Sequence, residues 1–305
     1  MNGLIVIDKP PDLTSHDVVA QTRHLLGERR IGHTGTLDPF ATGVLILLVG
    51  RATRLAQFLS DSDKEYEAVI RLGYATDTGD ITGVPLKSGE KKTFSEAEIE
   101  PALATLRGNI LQVPPMYSAK KKEGRKLYEL ARQGLEVERA AVPVCIFELE
   151  PIKADGRLLK NNRDGTADLK VRVDCSAGTY IRTLAEDLGK RLNTGAHLAE
   201  LRRTRAGRFS LDSAVTLQQL KESVAEESIG SVLLPPDAAL SDMPFVHLTA
   251  EDAHRARQGM ELQVFDSSWA DGTRIGMFDE HGLLIGVAYF DAGKRTLHPR
   301  VVLAT

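Results

Sequence analysis

The chain has 305 residues, of which 42% are hydrophobic and 27% charged, and its formal net charge is −3. This composition is typical of a globular protein with one large and one smaller domain, and it excludes an overall polycation. No apolar run reaches the roughly 18 residues that a membrane-spanning helix needs, and the N-terminus lacks the cationic start of a signal peptide. We therefore expect a cytoplasmic protein without a membrane partner.

The first half of the chain predicts strands and helices in mixed order. Apolar runs and alternation predict strands at residues 3–7, 44–49 and 64–74. A helix is predicted after Thr14 or Ser15 and should stop at Gly27, because a capping hydroxyl precedes it and a glycine follows it. A second helix is predicted at 95–107 from a capping box.

The second half predicts two further strands and then a helix capped by Thr179. The strands are expected at about 142–149 and 167–175. Strands thus come in runs with helices between them, which favours the α+β class over a doubly wound α/β fold.

The C-terminal part predicts a small β-rich unit behind a linker. The proline-rich residues 234–244 indicate the linker. A helix capped by Thr249 should end at Gly259, and a hairpin should turn at Asp279–Gly282.

Several chemistries are excluded by missing motifs. The chain has no GxGxxG after a strand, no GxxxxGK[ST], no HExxH, no CxxC and no GxSxG. We therefore expect no nucleotide cofactor and no metal centre. Cys145 and Cys175 lie in strand-like stretches and are expected to be reduced thiols.

Basic residues are concentrated in short segments despite the negative net charge. Residues 118–132 carry six Lys/Arg against two Glu, and residues 200–208 carry four Arg against one Glu. One such run is usually a solvated face. Two runs together with Arg29 and Arg30 favour a polyanion that contacts only part of the surface.

A glycine-punctuated stretch, RRIGHTGTLDPFATG, holds Asp38 directly before a proline. Proline restricts Asp38 to an extended conformation, and Gly35 and Gly43 allow unusual backbone angles around it. An isolated Asp-Pro is most often a turn residue. Here the constraint would also preorganise an ionised carboxylate, as a nucleophile or base requires.

GHTGTLDPFATGVL resembles the signature of the TruB-type tRNA pseudouridine synthases. Five further stretches agree with that family in order: IDKPPDLTSHDVV at 7–19, KEYEAVIRLGYATDTGDITG at 64–83, QVPPMYSAKK at 112–121, CSAGTYIRTLAEDLG at 175–189 and HLAELRRTRAGRF at 197–209. An ordered set of six segments is far more specific than any one of them. Asp12 stands where the family usually has glycine, and aspartate tolerates left-handed angles.

The resemblance implies a pseudouridine synthase domain over residues 1–235, with a mixed, largely antiparallel sheet, flanking helices and a basic insertion at about 112–140. Residues 236–305 resemble a PUA-type RNA-binding domain more weakly. The implied reaction isomerises the uridine at position 55 in the T loop of tRNA, without cofactor, metal or guide RNA. The implied partner is the T arm of tRNA, with no obligate protein partner and a monomeric enzyme.

The resemblance also assigns roles at the reacting base. Asp38 would be the nucleophile, Tyr66 would stack on the flipped base, and Arg182 would pair with Asp38. Without the resemblance, Tyr66 would be taken for a core aromatic and Arg182 for a surface helix residue. Attack at the base, attack at C1′ and proton abstraction from C2′ all remain open as routes for the carboxylate.

The remaining implied residues surround the uridine or contact the RNA backbone. His33 would fill the gap left by the flipped base, Tyr180 and Leu201 would line the uridine pocket, and Lys9 would lie beside it. The expected backbone contacts are Lys120, Lys121, Lys122, Arg125, Arg202 and Arg203.

Three other functions remain open from the residues. The same fold could work with a guide RNA inside a larger particle, although the chain shows no partner-docking extension. An RNA-binding or RNA-folding module with incidental activity is a second alternative. A lyase or glycosidase acting on a small nucleoside through Asp38 is the third, and the basic runs disfavour it.

Overall fold

The computed structural model describes residues 1–86, 94–118, 120–122, 124–131, 133–135, 137–264 and 268–303. Its helices are α1 (Ser15–Leu26), α2 (Ala56–Ser60), α3 (Glu96–Ala104), α4 (Leu127–Ala131), α5 (Ile181–Arg191), α6 (Leu217–Ala225) and α7 (Ala250–Arg257). Its strands are β1 (Gly3–Lys9), β2 (Ile31–Thr34), β3 (Thr42–Val49), β4 (Lys64–Leu72), β5 (Gly108–Gln112), β6 (Lys121–Lys122), β7 (Arg125–Lys126), β8 (Val142–Pro151), β9 (Leu159–Asn161), β10 (Ala167–Cys175), β11 (Ala196–Ala206), β12 (Phe209–Ser210), β13 (Phe245–His247), β14 (Leu262–Gln263), β15 (Arg274–Phe278), β16 (Leu284–Asp291) and β17 (Thr296–Val302).

Within these described ranges, ten strands form one central sheet. Its main path runs β1-β3-β11-β4-β10-β8-β5, with β2 on β3, β9 on β10 and β12 on β11. Its strands pair antiparallel except for β3 with β11, which pair parallel. The predicted α+β class with a mixed, largely antiparallel sheet is confirmed.

Local capping decides where the helices begin. Thr14 caps α1 in a reciprocal capping box with Asp17, and Gly27 ends that helix at φ 61°. Ser95 and Glu98 form the expected capping box of α3. These bonds join residues within a few positions of each other, so the sequence was sufficient to predict them.

The parallel contact between β3 and β11 depends on Gly43. Gly43 pairs in register with Arg203 and has a φ of +100°. A Cβ atom at Gly43 would lie 2.1 Å from the Arg203 carbonyl oxygen. Both the close approach and the positive angle therefore require glycine, and they close the sheet beside the loop that carries Asp38.

The two faces of the sheet bury different cores. One face packs against α1, α3, α5 and α6. On the other face, Leu4 and Val6 of β1 share a core with Val287 of β16 and Val301 of β17. The C-terminal β-rich unit therefore packs directly on the back of the central sheet.

The segment at 234–244 is packed, which corrects its prediction as a linker. The Leu4 amide donates to the Leu234 carbonyl at 2.9 Å, and the Leu234 amide donates to the Leu4 carbonyl at 2.8 Å. Leu240 is buried in the same core. The linker prediction was wrong because the apolar residues between the prolines are buried in this core rather than exposed to solvent.

The C-terminal unit contains a five-stranded sheet in the order β13-β15-β16-β17-β14 among the described residues. Thr249 caps α7, and the β15–β16 hairpin turns at Asp279–Gly282, both as predicted. Across the described ranges, no helix combines the length and apolar character needed to cross a membrane.

Candidate active site

Asp38 lies in the turn between β2 and β3, and hydrogen bonds fix the residues on both sides of it. The Leu37 amide donates to the Ser15 hydroxyl at 2.9 Å. The Asp12 amide donates to the Pro39 carbonyl at 3.0 Å. Asp12 has a φ of 65°, which confirms the left-handed conformation expected there. The turn is therefore held by the segment after β1 as well as by its own proline.

The Asp38 carboxylate is held by the guanidinium of Arg182, near the start of α5. Arg182 Nε lies 3.0 Å from Oδ2, and Nη2 donates to Oδ1 at 3.1 Å. These two contacts fix the orientation of the carboxylate plane. The Arg182 side chain is 6% exposed and that of Asp38 is 30% exposed. The cation is thus enclosed while part of the carboxylate stays open to solvent.

Arg182 is itself anchored by two loops that lie far apart in sequence. Its Nη1 donates to the Thr78 carbonyl at 3.1 Å, and its Nη2 donates to the Tyr117 carbonyl at 2.7 Å. Nη1 also lies 3.6 Å from Asp80 Oδ2. The guanidinium therefore has little freedom to move, and it fixes Asp38 in turn.

Asp80 is a site residue that the sequence interpretation missed. Its side chain is 5% exposed. Its Oδ1 accepts from the Thr78 hydroxyl at 2.8 Å, from the Thr82 amide at 3.0 Å and from the Thr82 hydroxyl at 2.6 Å. Asp80 lies in the stretch YATDTGDITG, but nothing local in that stretch distinguishes it from Asp77. Its role becomes visible only when the loop is placed against α5.

The environment of Asp38 makes its carboxyl group more basic than an exposed aspartate. Burial is the main cause that raises the pKa of Asp38, while the Arg182 guanidinium opposes the shift. The nearby Asp80 carboxylate raises the pKa further, and the Lys9 ammonium lowers it. A raised pKa with a fixed geometry is typical of a reacting carboxylate.

Tyr66, Leu201 and Arg203 share the sheet face that carries Asp38. Tyr66 pairs with Arg203 across β4 and β11. Tyr66 and Leu201 belong to the same buried core as Leu37. Burial raises the pKa of Tyr66, and the adjacent Arg203 guanidinium opposes that shift. The phenol is therefore neutral at pH 7, which suits contact with a base better than proton abstraction.

Lys9 is fully buried beneath the Asp38 turn. Its Nζ donates to the carbonyls of Pro10 at 2.8 Å, Leu13 at 2.7 Å and Pro39 at 3.1 Å. Burial lowers the pKa of Lys9 to about 8, and the Asp38 charge opposes that shift. The ammonium is thus protonated at neutral pH and joins the two segments that frame the nucleophile candidate.

His33 lies on β2, just before the turn that carries Asp38. Its ring meets that of His16 edge-on, with centroids 5.4 Å apart. Burial lowers the pKa of His33 to about 4. Among the described residues, its buried Nδ1 has no hydrogen-bond partner. His33 is therefore neutral and is available to another group.

Tyr180 occupies the N-cap position of α5, where Thr179 was predicted. The Thr179 hydroxyl instead donates to the Ser176 carbonyl at 2.9 Å. The Tyr180 amide donates to Gln112 Oε1 at 2.9 Å, and Gln112 Nε2 donates to the Tyr180 carbonyl at 3.3 Å. The start of α5 is therefore capped by the side chain of Gln112, which is distant in sequence, so no local pattern predicts this cap.

Two of the predicted RNA backbone contacts, Arg202 and Arg203, lie on opposite faces of the sheet, and the prediction for Arg203 needs correction. Arg203 is 1% exposed, and its Nε and Nη2 donate to the carbonyls of Val44 at 2.7 Å and Gly35 at 3.0 Å. It cannot reach a phosphate. Arg202 lies on the opposite sheet face and pairs through two bonds with Asp8, at 3.0 and 2.8 Å. Its charge is already neutralised, away from Asp38.

The basic run at 118–132 begins beside the site, because Tyr117 accepts a hydrogen bond from Arg182. Lys120 and Arg125 are exposed, and Arg125 donates to Gln133 Oε1 at 2.7 Å. The side chains of Lys121 and Lys122 lie outside the described part of the structure.

The two cysteines are free thiols, as expected. Burial raises the pKa of Cys175 to about 12. Within the described residues, no three His, Cys, Asp or Glu side chains are grouped as metal ligands.

Comparisons with known proteins agree with the sheet and the Asp38 site. Residues 23–181 match the model of the TruB family pseudouridylate synthase N-terminal domain. Residues 182–241 match the model of the tRNA pseudouridylate synthase B C-terminal domain. The first matched region contains Asp38, and the second contains Arg182.

Curated relatives match over most of the chain. The tRNA pseudouridine synthase B of Aromatoleum aromaticum is 44% identical over 305 residues, covering 100% of this chain and 94% of the relative. That of Geobacter sulfurreducens is 45% identical over 275 residues, covering 90% and 87%.

Solved structures share the fold. One, of an H/ACA RNP bound to a substrate RNA containing 2′-deoxyuridine, has a TM-score of 0.73 at 24% identity and covers 99% of this chain and 85% of that chain. Another, of an archaeal box H/ACA sRNP complex, has a TM-score of 0.73 at 26% identity and covers 99% and 86%. The fold is therefore that of the pseudouridine synthases. The chain belongs to the TruB family and is a pseudouridine synthase.

Proposed function

We propose that this enzyme converts the uridine at position 55 in the T loop of tRNA to pseudouridine, acting alone and with Asp38 as its nucleophile. The observation that carries the proposal is the Asp38–Arg182 pair. Both carboxylate oxygens are fixed by one enclosed guanidinium, yet Asp38 keeps 30% of its side chain exposed. A carboxylate that is oriented and still accessible is suited to attack a group that arrives from solvent.

The reaction breaks the N1–C1′ bond, turns the base and joins C5 to C1′. C5 loses a proton and N1 gains one, so the product is an isomer of the substrate. Asp38 attacks the nucleotide during this isomerisation. Arg182 keeps the carboxylate in place. Its hydrogen bonds to the carbonyls of Thr78 and Tyr117 hold the guanidinium still while the negative charge on Asp38 changes during the reaction. Preorganisation of this kind lowers the barrier because little rearrangement is needed during reaction.

The target uridine must leave its loop to reach Asp38, which costs a few kcal/mol. Stacking on Tyr66 offsets part of this cost, and the neutral phenol supports that role. His33 fills the space that the base vacates. Its neutral imidazole, with an unpartnered Nδ1 among the described residues, suits a polar contact without proton transfer.

Other residues surround the base or hold the RNA. Tyr180 and Leu201 line the pocket for the flipped uridine, and Lys9 supports it from below. The basic segment that begins after Tyr117 contacts the phosphate backbone through Lys120, Lys121, Lys122 and Arg125. The tRNA substrate is supported by the names of relatives that are 44% and 45% identical.

A guide-dependent enzyme is the second candidate. It is favoured by the structural neighbours, which come from H/ACA ribonucleoproteins. Those chains are 24% and 26% identical, well below the curated relatives. We therefore rank independent action higher.

The test is pseudouridine content, measured by mass spectrometry after incubation with an unmodified T-arm hairpin and no guide RNA, nucleotide or metal. Wild type should convert the T-loop uridine, and Asp38→Asn should not. Asp77→Asn is the matched control, because Asp77 lies in the same loop as Asp80 and its side chain accepts from the Val84 amide at 2.7 Å rather than contacting Arg182 in the described part of the structure.

The proposal is supported if wild type and Asp77→Asn convert the uridine and Asp38→Asn does not. Binding without conversion by wild type would instead indicate a missing guide or partner. Equal conversion by Asp38→Asn would contradict the assignment of Asp38.

A further inference from the structure

The segment 74–83, which we call the 74–83 loop, supplies two of the groups that hold Arg182. The Thr78 carbonyl accepts from Arg182 Nη1 at 3.1 Å, and Asp80 Oδ2 lies 3.6 Å from the same nitrogen. Inside the loop, the Thr76 hydroxyl donates to the Asp80 carbonyl at 2.7 Å. The orientation of the guanidinium therefore depends on where this loop lies relative to α5.

The beginning of the 74–83 loop is held by His197 on β11, a fully buried residue. Its Nδ1 lies 2.9 Å from the Tyr74 carbonyl oxygen. A carbonyl oxygen can only accept, so Nδ1 carries the proton and donates. The imidazole also packs against the Tyr74 ring, with centroids 4.6 Å apart and the ring planes inclined at 36°.

The other ring nitrogen of His197, Nε2, is buried and has no hydrogen-bond partner in the described part of the chain. Burial is the main cause that lowers the pKa of His197, and the bond to the Tyr74 carbonyl opposes that shift. The ring is therefore neutral at pH 7. A neutral imidazole has one N–H donor, and His197 uses it on the Tyr74 backbone.

Backbone hydrogen bonds on both sides of His197 brace the same loop. The Gly195 carbonyl accepts from the Gly73 amide at 2.8 Å, and the Leu198 amide donates to the Gly79 carbonyl at 3.0 Å. The first bond precedes the loop, and the second lies beside the residues that contact Arg182. His197 thus adds a side-chain bond between two backbone anchors.

A displacement of the 74–83 loop would reach Arg182 because the two are closely packed. Gly79 has a φ of +73°, and a Cβ atom built on it would lie 3.4 Å from Arg182 Cβ. Hydrogen bonds weaken when their geometry departs from the preferred angles. A misplacement of about 1 Å at a reaction site can lower the rate about a hundredfold. The bond from His197 therefore has consequences for the reaction as well as for packing.

We propose that His197 is a positioning residue for pseudouridine formation. Its Nδ1–H holds the Tyr74 carbonyl, and the loop held in this way presents its acceptors to Arg182, which orients Asp38. The inference rests on the proposed role of Asp38 and extends it to a residue that acts through the loop. A histidine that only fills space would need the volume of its ring but not the donor.

The test compares His197→Asn with His197→Gln. The amide nitrogen of asparagine lies close to the position of Nδ1, so this variant keeps a donor for the Tyr74 carbonyl. Glutamine is closer to histidine in volume, but its amide lies one bond farther out, near the position of Nε2. Thr194→Val is the matched control, because the buried Thr194 hydroxyl lies just before β11 and has no hydrogen-bond partner among the described residues.

The measured quantities are kcat and KM for pseudouridine formation in the T-arm hairpin. We expect His197→Gln to lower kcat about tenfold, because the loop moves by less than the full misplacement considered above. KM should change by less than about twofold, since uniform binding of the RNA is kept. His197→Asn and Thr194→Val should retain kcat within about twofold of wild type.

A double-mutant cycle with Asp80→Asn tests the route of the effect. If His197 acts through the 74–83 loop, His197→Gln should lower kcat less in the Asp80→Asn background than in wild type. The reason is that one contact that the loop presents to Arg182 is already lost, and coupled residues give non-additive effects. Independent losses that multiply would contradict this route and overturn the inference.

The inference is also overturned if asparagine lowers kcat as much as glutamine does, since volume would then matter more than the donor. Wild-type kcat in both variants would overturn it as well. The thermal unfolding midpoint checks folding. If His197→Gln does not fold, a folded His197→Asn with a tenfold loss is the contrary result. If Arg182→Gln keeps wild-type kcat, or wild type forms no pseudouridine, the proposed function has failed instead, so the two failures are distinguished.

Discussion

Arginine side chains have different roles on the two faces of the central sheet. Arg202 and Arg203 are neighbours on β11, yet they point to opposite faces. Arg203 is 1% exposed and donates to carbonyls beside Asp38. Arg202 is 40% exposed and pairs with Asp8. One arginine builds the reaction site, and the other belongs to a solvated ion pair.

This difference shows that arginines of one sequence run can have different structural roles. A buried guanidinium with carbonyl partners organises backbone, because several donors satisfy groups that water cannot reach. A half-exposed guanidinium beside carboxylates contributes little and is screened by salt. Exposed arginines that lack a carboxylate partner are the ones with charge available for a ligand. Substitutions on the two faces should therefore have different consequences.

The largest expected effect is that of Arg182→Gln on the site face. The substitution removes the cation that orients Asp38, and glutamine cannot bond both carboxylate oxygens and two carbonyls. We expect kcat to fall by roughly 10² to 10³, as for loss of a preorganised donor. Single-turnover pseudouridine formation measures this fall.

Arg172→Gln is the control on the opposite face, where Arg172 is 42% exposed. It should retain wild-type kcat. Comparable losses in the two variants would mean that the Asp38–Arg182 geometry has no special importance.

The second-largest expected effect is a difference in unfolding free energy between Arg203→Met and Arg202→Met. Methionine at 203 leaves the buried carbonyls of Val44 and Gly35 without their charged donor, at about 3 kcal/mol of unfolding free energy. Methionine at 202 removes a partly exposed ion pair and should change stability by at most about 1 kcal/mol. Urea unfolding of both variants measures the difference, and similar values would contradict the assigned faces.

The smallest expected effect is a shift in pH dependence. The ionised carboxylate is the reacting form, so activity falls as pH decreases through the Asp38 pKa. Burial raises that pKa, so the acid limb should lie above the value of about 4 expected for an ordinary aspartate. Asp80 also raises it, so Asp80→Asn should move the limb to lower pH.

The measurement is kcat/KM against pH for wild type, Asp80→Asn and Asp77→Asn. The Asp77 variant should keep the wild-type limb. An acid limb that moves to higher pH in Asp80→Asn would reverse the electrostatic assignment.

Short-range features of this protein were predictable from the sequence. Thr14 and Gly27 bound α1, Ser95 and Glu98 cap α3, and alternating polarity marks β4. The ordered motifs also indicated the family and singled out Asp38 and Arg182. In each case the information lies in neighbouring residues or in a contiguous motif.

The tertiary structure decided the rest. Whether Arg202 or Arg203 faces the site depends on the register of β11, which contains two irregularities in its pairing with β4. The Asp80 contact and the Gln112 cap of α5 join residues about a hundred and about seventy positions apart. Local sequence determines caps, turns and strand periodicity because their hydrogen bonds are short-range. Which side chains meet at Asp38 is decided by long-range packing of the sheet against its loops.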